Sequence, residues 1–221
     1  MDGLGETLLR IYQALLEAYG PQGWWPGDSP FEVMVGAVLV QNTAWRNVER
    51  AMANLKAAGV LCPAGLRDLP GEEMERLLRP AGTYRVKAAR VRALVEYLFR
   101  AHGGNPAGLA RADPTTLRRE LLGVPGIGPE TADSILLYAG GHPAFVVDAY
   151  TRRLLARLGL AAAGASYEAL GALFVAHLPA DAHLFNEYHA LIVRHVKVHC
   201  RKRQPRCLGC PLFGLCARGQ G

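Results

Sequence analysis

Leu121 to Ala139 reads LLGVPGIGPETADSILLYA. An apolar helix end runs into Gly123, the tight turn Val124-Pro125-Gly126-Ile127-Gly128 follows, and Pro129 opens a second helix, where its missing N–H costs no helical hydrogen bond. Gly126 and Gly128 free the turn from Cβ atoms. Such a turn aims successive backbone N–H groups outward beside the positive end of the following helix dipole, which makes a site for one phosphate. A dinucleotide fingerprint would need a preceding strand and a third glycine where Thr131 stands, so that reading fails. The alternatives left are a phosphate-binding helix-hairpin-helix and a packed helical hairpin with no ligand.

Outward from this stretch, apolar residues recur at spacings of three and four, as in Leu8, Ile11, Tyr12, Leu15, Leu16 and Tyr19. The spacing predicts helices at 4–19, 30–41, 44–58, 71–79, 84–102, 114–122, 129–139, 149–158, 166–178 and 181–199. Asp113 before Pro114, and Ser166, read as N-caps. Strand signals are almost absent, so the core is expected to be helix on helix. The 221 residues are 50% hydrophobic and 20% charged, enough apolar surface to offset chain entropy, which excludes intrinsic disorder. The longest apolar run, Val33 to Val40, is about half the ~20 residues a membrane helix needs. Residues 1–20 read as an amphipathic helix carrying Glu6 and Glu17, not as a cleaved signal peptide.

The 25 Lys and Arg against 19 Asp and Glu leave a net charge of +6, which favours a polyanionic partner. Arg194, Lys197, Arg201, Lys202, Arg203 and Arg206 form a run without an acidic residue, a footprint that suits nucleic acid. Cys62 stands alone, while Cys200, Cys207, Cys210 and Cys216 run C-x6-C-x2-C-x5-C near the end of the chain. Four thiolates can hold Zn²⁺ or an iron–sulfur cluster. Structural zinc sites usually pair two short knuckles and only Cys207 and Cys210 are so close, so the spacing leans towards iron–sulfur. His195 and His199, at i and i+4, could join a metal site, but read better as part of a solvated basic helix face. Asp148, about twenty residues after the hairpin glycines, stands between the apolar run Ala144 to Val147 and a helix carrying Arg152, Arg153 and Arg157. It reads as an N-cap, a role compatible with catalysis. Trp24, Trp25 and Trp45 fall in the first 45 residues, as core or as walls of a pocket.

Taken together, GVPGIGPETA, VVDAYTRR and the terminal cysteine spacing resemble the endonuclease III branch of the helix-hairpin-helix DNA glycosylases. GAVLVQNT (Gly36 to Thr43) and AGTYRVKAARV (Ala81 to Val91) resemble that family's early helices, so the likeness covers nearly the whole chain. Trp24, Trp25, QNT and GIGPETADSILLYA are most similar to its 3-methyladenine DNA glycosylase subgroup. The resemblance implies an all-α, two-lobed fold: a continuous helical lobe at 28–136 ending in the hairpin, and a second lobe of 1–27 plus 137–221 with the cysteine loop. It implies a monomeric cytoplasmic, nucleoid-associated enzyme that flips a damaged base out of double-stranded DNA and excises it.

By the same resemblance Asp148 is the catalytic aspartate, Cys200, Cys207, Cys210 and Cys216 hold a [4Fe–4S] cluster, and Gln41 works near the gap left by the flipped nucleotide. Val124, Gly126, Ile127, Gly128 and Thr131 are the hairpin's DNA contacts, with Arg201 and Arg203 added by the tail, and Trp24, Trp25 and Trp45 are candidate walls for the base. Two positions depart from the family. Glu130 stands where bifunctional members carry a lysine, and Thr83 replaces the wedge leucine. Without that lysine a lyase step is not expected, and of the remaining lysines (Lys56, Lys87, Lys197, Lys202) only Lys87 lies near a family motif. Competing readings are a bifunctional glycosylase/lyase for oxidised pyrimidines and a catalytically silent DNA-binding module.

Overall fold

The apolar periodicity is realised as helices α1 (Gly3–Tyr19), α2 (Pro30–Leu39), α3 (Trp45–Ala57), α4 (Pro63–Asp68), α5 (Gly71–Leu78), α6 (Tyr84–His102), α7 (Pro114–Leu122), α8 (Pro129–Ser134), α9 (Ala149–Leu158), α10 (Tyr167–His177) and α11 (Ala182–Val198). The structure is a computed structural model that describes residues 3–162 and 164–217, and among these no β-strand occurs. Short polar caps set the helix starts. The side chains of Ser29, Asp113, Ser166 and Asp181 accept hydrogen bonds from first-turn N–H groups of α2, α7, α10 and α11. Helix α4 has no counterpart in the expected set. It is too short for periodicity to register, and its cap is the lone Cys62, whose Sγ accepts from the Gly65 N–H at 3.3 Å.

The chain divides into two compact units, Trp25–His142 and Met1–Trp24 with Pro143–Gly221, where the sequence placed the divisions at 28 and 136. In the first unit α2 is the central element, buried along Phe31 and Val33–Leu39 and packed on α3, α6 and α8. Lys87, on α6, is 1% exposed and donates from Nζ to the carbonyls of Leu39 at 2.8 Å and Ala81 at 2.6 Å. Its positive charge therefore closes the C-terminal end of α2, where carbonyls lack helical partners. The amine of Lys87, the lysine near a family motif, is thus committed to the protein's own backbone. The helix expected over 129–139 is α8 continued by a π-helical turn, Ile135–Ala139, closed by the Gly140 N–H on the Ile135 carbonyl at 2.9 Å.

In the second unit α11 is central, with buried residues from Phe185 to Val193, packed on α1 and α9. Phe145 stacks on Phe174 at 3.5 Å between centroids, and Phe185 meets it edge-on at 5.5 Å. The Tyr188 hydroxyl donates to the Leu8 carbonyl at 2.8 Å, which ties α11 to α1. No helix among the described residues is long and apolar enough to cross a membrane.

The hairpin is held at its base by the Val124 N–H on Leu121 O and the Ile127 N–H on Val124 O, each at 3.0 Å. A bidentate pair, Arg118 to Asp133 at 2.7 and 3.1 Å, joins α7 to α8. Its two glycines differ. Gly126 has φ +83, and a Cβ there would lie 2.7 Å from Arg90 Cδ and 2.6 Å from Nε, inside van der Waals contact. Gly128 is extended, at φ −97, and a Cβ would meet nothing within 4 Å. We expect Gly126→Ala to cost about 1–3 kcal/mol and Gly128→Ala less than about 1 kcal/mol, measured by urea unfolding. Equal losses would contradict the assignment of Gly126 as the packing glycine.

Candidate active site

In the unit that contains α9, Asp148 is the N-cap of that helix. Its Oδ1 accepts from the Tyr150 N–H at 2.9 Å, the Thr151 N–H at 2.8 Å and the Thr151 hydroxyl at 3.0 Å. Its Oδ2 takes none of these and lies 3.6 Å from His189 Nε2. Burial pushes the Asp148 carboxyl up, but the facing His189 and the bonds from Thr151 outweigh it, and the group is held below the usual carboxylate range. Asp148 is thus an ionised carboxylate, with a side chain 15% exposed, one oxygen engaged in capping and the other left to face a reacting partner. Fixed negative charge of this kind stabilises positive charge that develops beside it, without reorganisation during the reaction.

His189 has no place in the sequence reading. It lies on α11 among Phe185, Tyr188 and Ile192, all buried, and is itself 5% exposed. The available signal was chemical rather than periodic, since a histidine enters an apolar stripe only with a polar partner.

The same unit carries the cysteines. Cys200, Cys207, Cys210 and Cys216 line one almost wholly apolar cavity together with Leu154, Leu158 and Leu212. Arg157, from the last turn of α9, donates to the carbonyls of Cys200 at 3.0 Å and Arg201 at 2.8 Å and to Cys200 Sγ at 3.2 Å. Pinned from beneath, the loop presents Arg201, Lys202 and Arg203 to solvent. Burial raises the Cys210 thiol, the Leu212 N–H pulls against this, and the charges of Cys200, Cys216 and Cys207 add to the rise. Four thiols gathered on one cavity are a donor set that fits an iron–sulfur cluster. Among the described residues no three His, Cys, Asp or Glu side chains are placed to hold one metal ion.

The expected solvated face holds for Arg194 and Lys197 but not for His195. His195 is 1% exposed and lines the cysteine cavity, with the Tyr19 hydroxyl 3.0 Å from Nδ1 and Cys210 Sγ 3.9 Å from Nε2. Burial, reinforced by His199, pushes its pKa down to about 4. Helix α11 is buried on several sides at once, so the phase of Arg194 and Lys197 does not extend to their neighbour.

In the unit 25–142, Gln41 is fixed by the hairpin. Its Nε2 donates to the Gly126 carbonyl at 3.1 Å and to Thr131 Oγ1 at 2.9 Å, while Arg90 Nη1 donates to its Oε1. Beside it is a cavity of about 210 Å³ with Gln41, Asn42, Arg90, Glu130, Thr131 and Ser134 on its polar side and Ala37 and Val40 on its apolar side. Val124, Ile127 and Thr131 are buried, and the N–H groups of the first two are taken up by the hairpin's own bonds, so these three pack the turn. Thr83, the residue at the wedge position, is exposed with φ +38, and Asn42, next to Gln41, has φ +54. Side chains other than glycine in this region mark a local backbone held by its surroundings.

The indoles of Trp25 and Trp45 meet edge to face with centroids 5.1 Å apart, and Trp25 also packs on Tyr138 at 5.0 Å. A second cavity, of about 240 Å³, lies against them, lined by Trp25, Pro26, Trp45, Met52, Glu32 and Glu49. Trp24 belongs to the other compact unit.

Residues 35–178 match the family model described as HhH-GPD superfamily base excision DNA repair protein. A protein of Methanocaldococcus jannaschii assigned to the DNA repair glycosylases is 44% identical over 213 residues, 96% of each chain. The fold is similar to that of endonuclease III in a non-covalent DNA complex, with a TM-score of 0.82 and 24% identity over 98% of this chain and 96% of that one. It is also similar to H. pylori 3-methyladenine DNA glycosylase bound to 1,N6-ethenoadenine, with a TM-score of 0.74 and 27% identity over 89% of this chain and 98% of that one. With the hairpin, the capping aspartate and the terminal cysteines in place, the chain belongs to the HhH-GPD superfamily of base excision DNA repair proteins, as an endonuclease III-like DNA glycosylase.

Proposed function

We propose that this glycosylase is monofunctional: it hydrolytically removes N-alkylated purines such as 3-methyladenine from double-stranded DNA and leaves the strand unbroken. The observation that carries the reading is Glu130, which lines the cavity beside Gln41 at the position where bifunctional relatives have a lysine. Opening the sugar as a Schiff base needs an amine, and a carboxylate cannot supply one. Asp148 is left to stabilise the positive sugar through Oδ2 and to orient the attacking water.

The base class is supported by the aromatic group of Trp25, Trp45 and Tyr138 beside the adjoining cavity, where Glu49 adds an acidic side chain and Glu32 is paired with Lys56. Alkylation at a ring nitrogen makes a purine cationic, which weakens its glycosidic bond and draws it to aromatic faces by about 0.5–2 kcal/mol. Such a base needs little acid help to leave. The likeness to the H. pylori 3-methyladenine glycosylase points the same way. In this reading the backbone N–H groups of Gly126 and Gly128 take a phosphate, and the open space over Gly128 admits it. The loop of Arg201 and Arg203 adds contacts that carry no sequence information. A [4Fe–4S] cluster on Cys200, Cys207, Cys210 and Cys216 supplies a rigid cross-link for that loop when bound.

Duplexes each carrying one alkylated, oxidised or deaminated base test the assignment. We expect release of 3-methyladenine, no action on thymine glycol, and strand breaks only after alkali. Cleavage of oxidised pyrimidines without alkali would establish the bifunctional reading instead. Trp25→Ala and Trp45→Ala are each expected to slow excision of alkylated purines severalfold; full activity in both overturns the base assignment. Anaerobically purified protein should contain iron and acid-labile sulfide in equal amounts, and Cys207→Ser should lose both, whereas zinc without sulfide rejects the cluster. Arg201→Ala with Arg203→Ala should weaken binding to all duplexes alike and flatten the salt dependence by up to about one unit per lost phosphate contact. An unchanged slope removes the loop from the interface.

A further inference from the structure

His189 is a buried titratable group that the proposed chemistry does not yet use. It sits on the most enclosed helix of its unit and is itself 5% exposed, so its ring is held out of solvent beside the Asp148 carboxylate. That carboxylate is asymmetric. Oδ1 is saturated by three donors from the first turn of α9, and Oδ2 is the atom His189 Nε2 faces at 3.6 Å. The separation is a few tenths of an ångström beyond a hydrogen bond, and contacts at catalytic groups are often long before substrate is bound.

We propose that His189 is a positioning residue for Asp148, its Nε2–H holding Oδ2 so that the oxygen left free by helix capping keeps one orientation and its charge when the sugar arrives. The inference rests on Asp148 as the catalytic carboxylate. Without His189 the free oxygen would face its buried surroundings with no fixed donor, and a carboxylate in low dielectric moves towards the neutral form. The depressed Asp148 pKa agrees with a favourable partner at this position. No proton is transferred to or from His189 in this role.

Glutamine and asparagine separate a donor at this point from mere bulk, because a glutamine amide reaches the region of Nε2 whereas an asparagine amide stops near Nδ1. Full-length His189→Gln and His189→Asn would be compared with wild type in single-turnover excision of 3-methyladenine from duplex DNA. Thermal melting and the Kd for a duplex with an abasic analogue would be measured alongside. We expect His189→Gln to stay within about threefold of the wild-type rate. His189→Asn should fall by about 30- to 100-fold, the scale seen when a reacting group is misplaced by about 1 Å, with its Kd unchanged within about threefold. A wild-type rate in His189→Asn, or equal losses in both variants, overturns the proposal. Asp148→Asn, run in parallel, distinguishes the two levels: if it excises normally, the reading of Asp148 itself fails. If it is inactive while His189→Asn is not, only the role of His189 fails.

Discussion

Three hydrogen bonds onto one oxygen of Asp148 fix both the start of α9 and the place of the residue to which we assign the chemistry. A carboxylate has two oxygens, so capping does not compete with the proposed catalysis: Oδ1 belongs to the helix and Oδ2 is the oxygen the proposal uses. The arrangement also settles the charge. Taking an aspartate largely out of water favours its neutral form, and His189 and the bonds from Thr151 reverse that preference. The last turn of α9 supplies Arg157, which fastens the backbone of Cys200 and Arg201. One short helix thus sets the Asp148 carboxylate at one end and the base of the cysteine loop at the other.

In the other unit an equivalent constraint comes from absent atoms. Gly126 lacks the Cβ that would strike Arg90, and Arg90 is thereby free to hold Gln41, which in turn bonds to the hairpin. The cavity beside Gln41 is walled by the helices this contact joins. Lys87 shows why residue type alone does not assign chemistry. Its amine is committed to two carbonyls at the end of α2, a structural use of the charge that keeps it from substrate. Glu130, by contrast, lines the cavity and carries no amine.

Much of this was legible in the sequence. The helix starts at Asp113, Pro114, Pro129 and Ser166 follow from local chemistry, in which side-chain oxygens or missing N–H groups meet the needs of a first turn. The hairpin declared itself through glycine spacing, Asp148 as a helix cap through local chemistry and as the catalytic candidate through the family resemblance alone, and the cysteines through crowding. What escaped the reading depends on tertiary placement. ILLYA at 135–139 has the composition of an ordinary helix, and nothing local marks its π turn. His189 and His195 are surrounded by apolar residues on a helix buried on several sides, so no hydrophobic phase distinguishes a partnered histidine from a solvated one. Arg90 and Gln41 are 49 positions apart and meet only because the fold brings α6 to the end of α2.

The central claim is that Asp148 acts as a fixed negative charge against a positive sugar. The most direct measurement compares the Kd of a duplex carrying a cationic pyrrolidine in place of the deoxyribose with that of a neutral tetrahydrofuran duplex, for wild type and for Asp148→Asn. Analogues of a charged transition state bind by the interactions that stabilise it. The account requires wild type to prefer the cationic duplex by about 100-fold or more and Asp148→Asn to lose most of that preference while holding the neutral duplex as before. Equal binding of the two duplexes by wild type, or a preference that survives in Asp148→Asn, would contradict it.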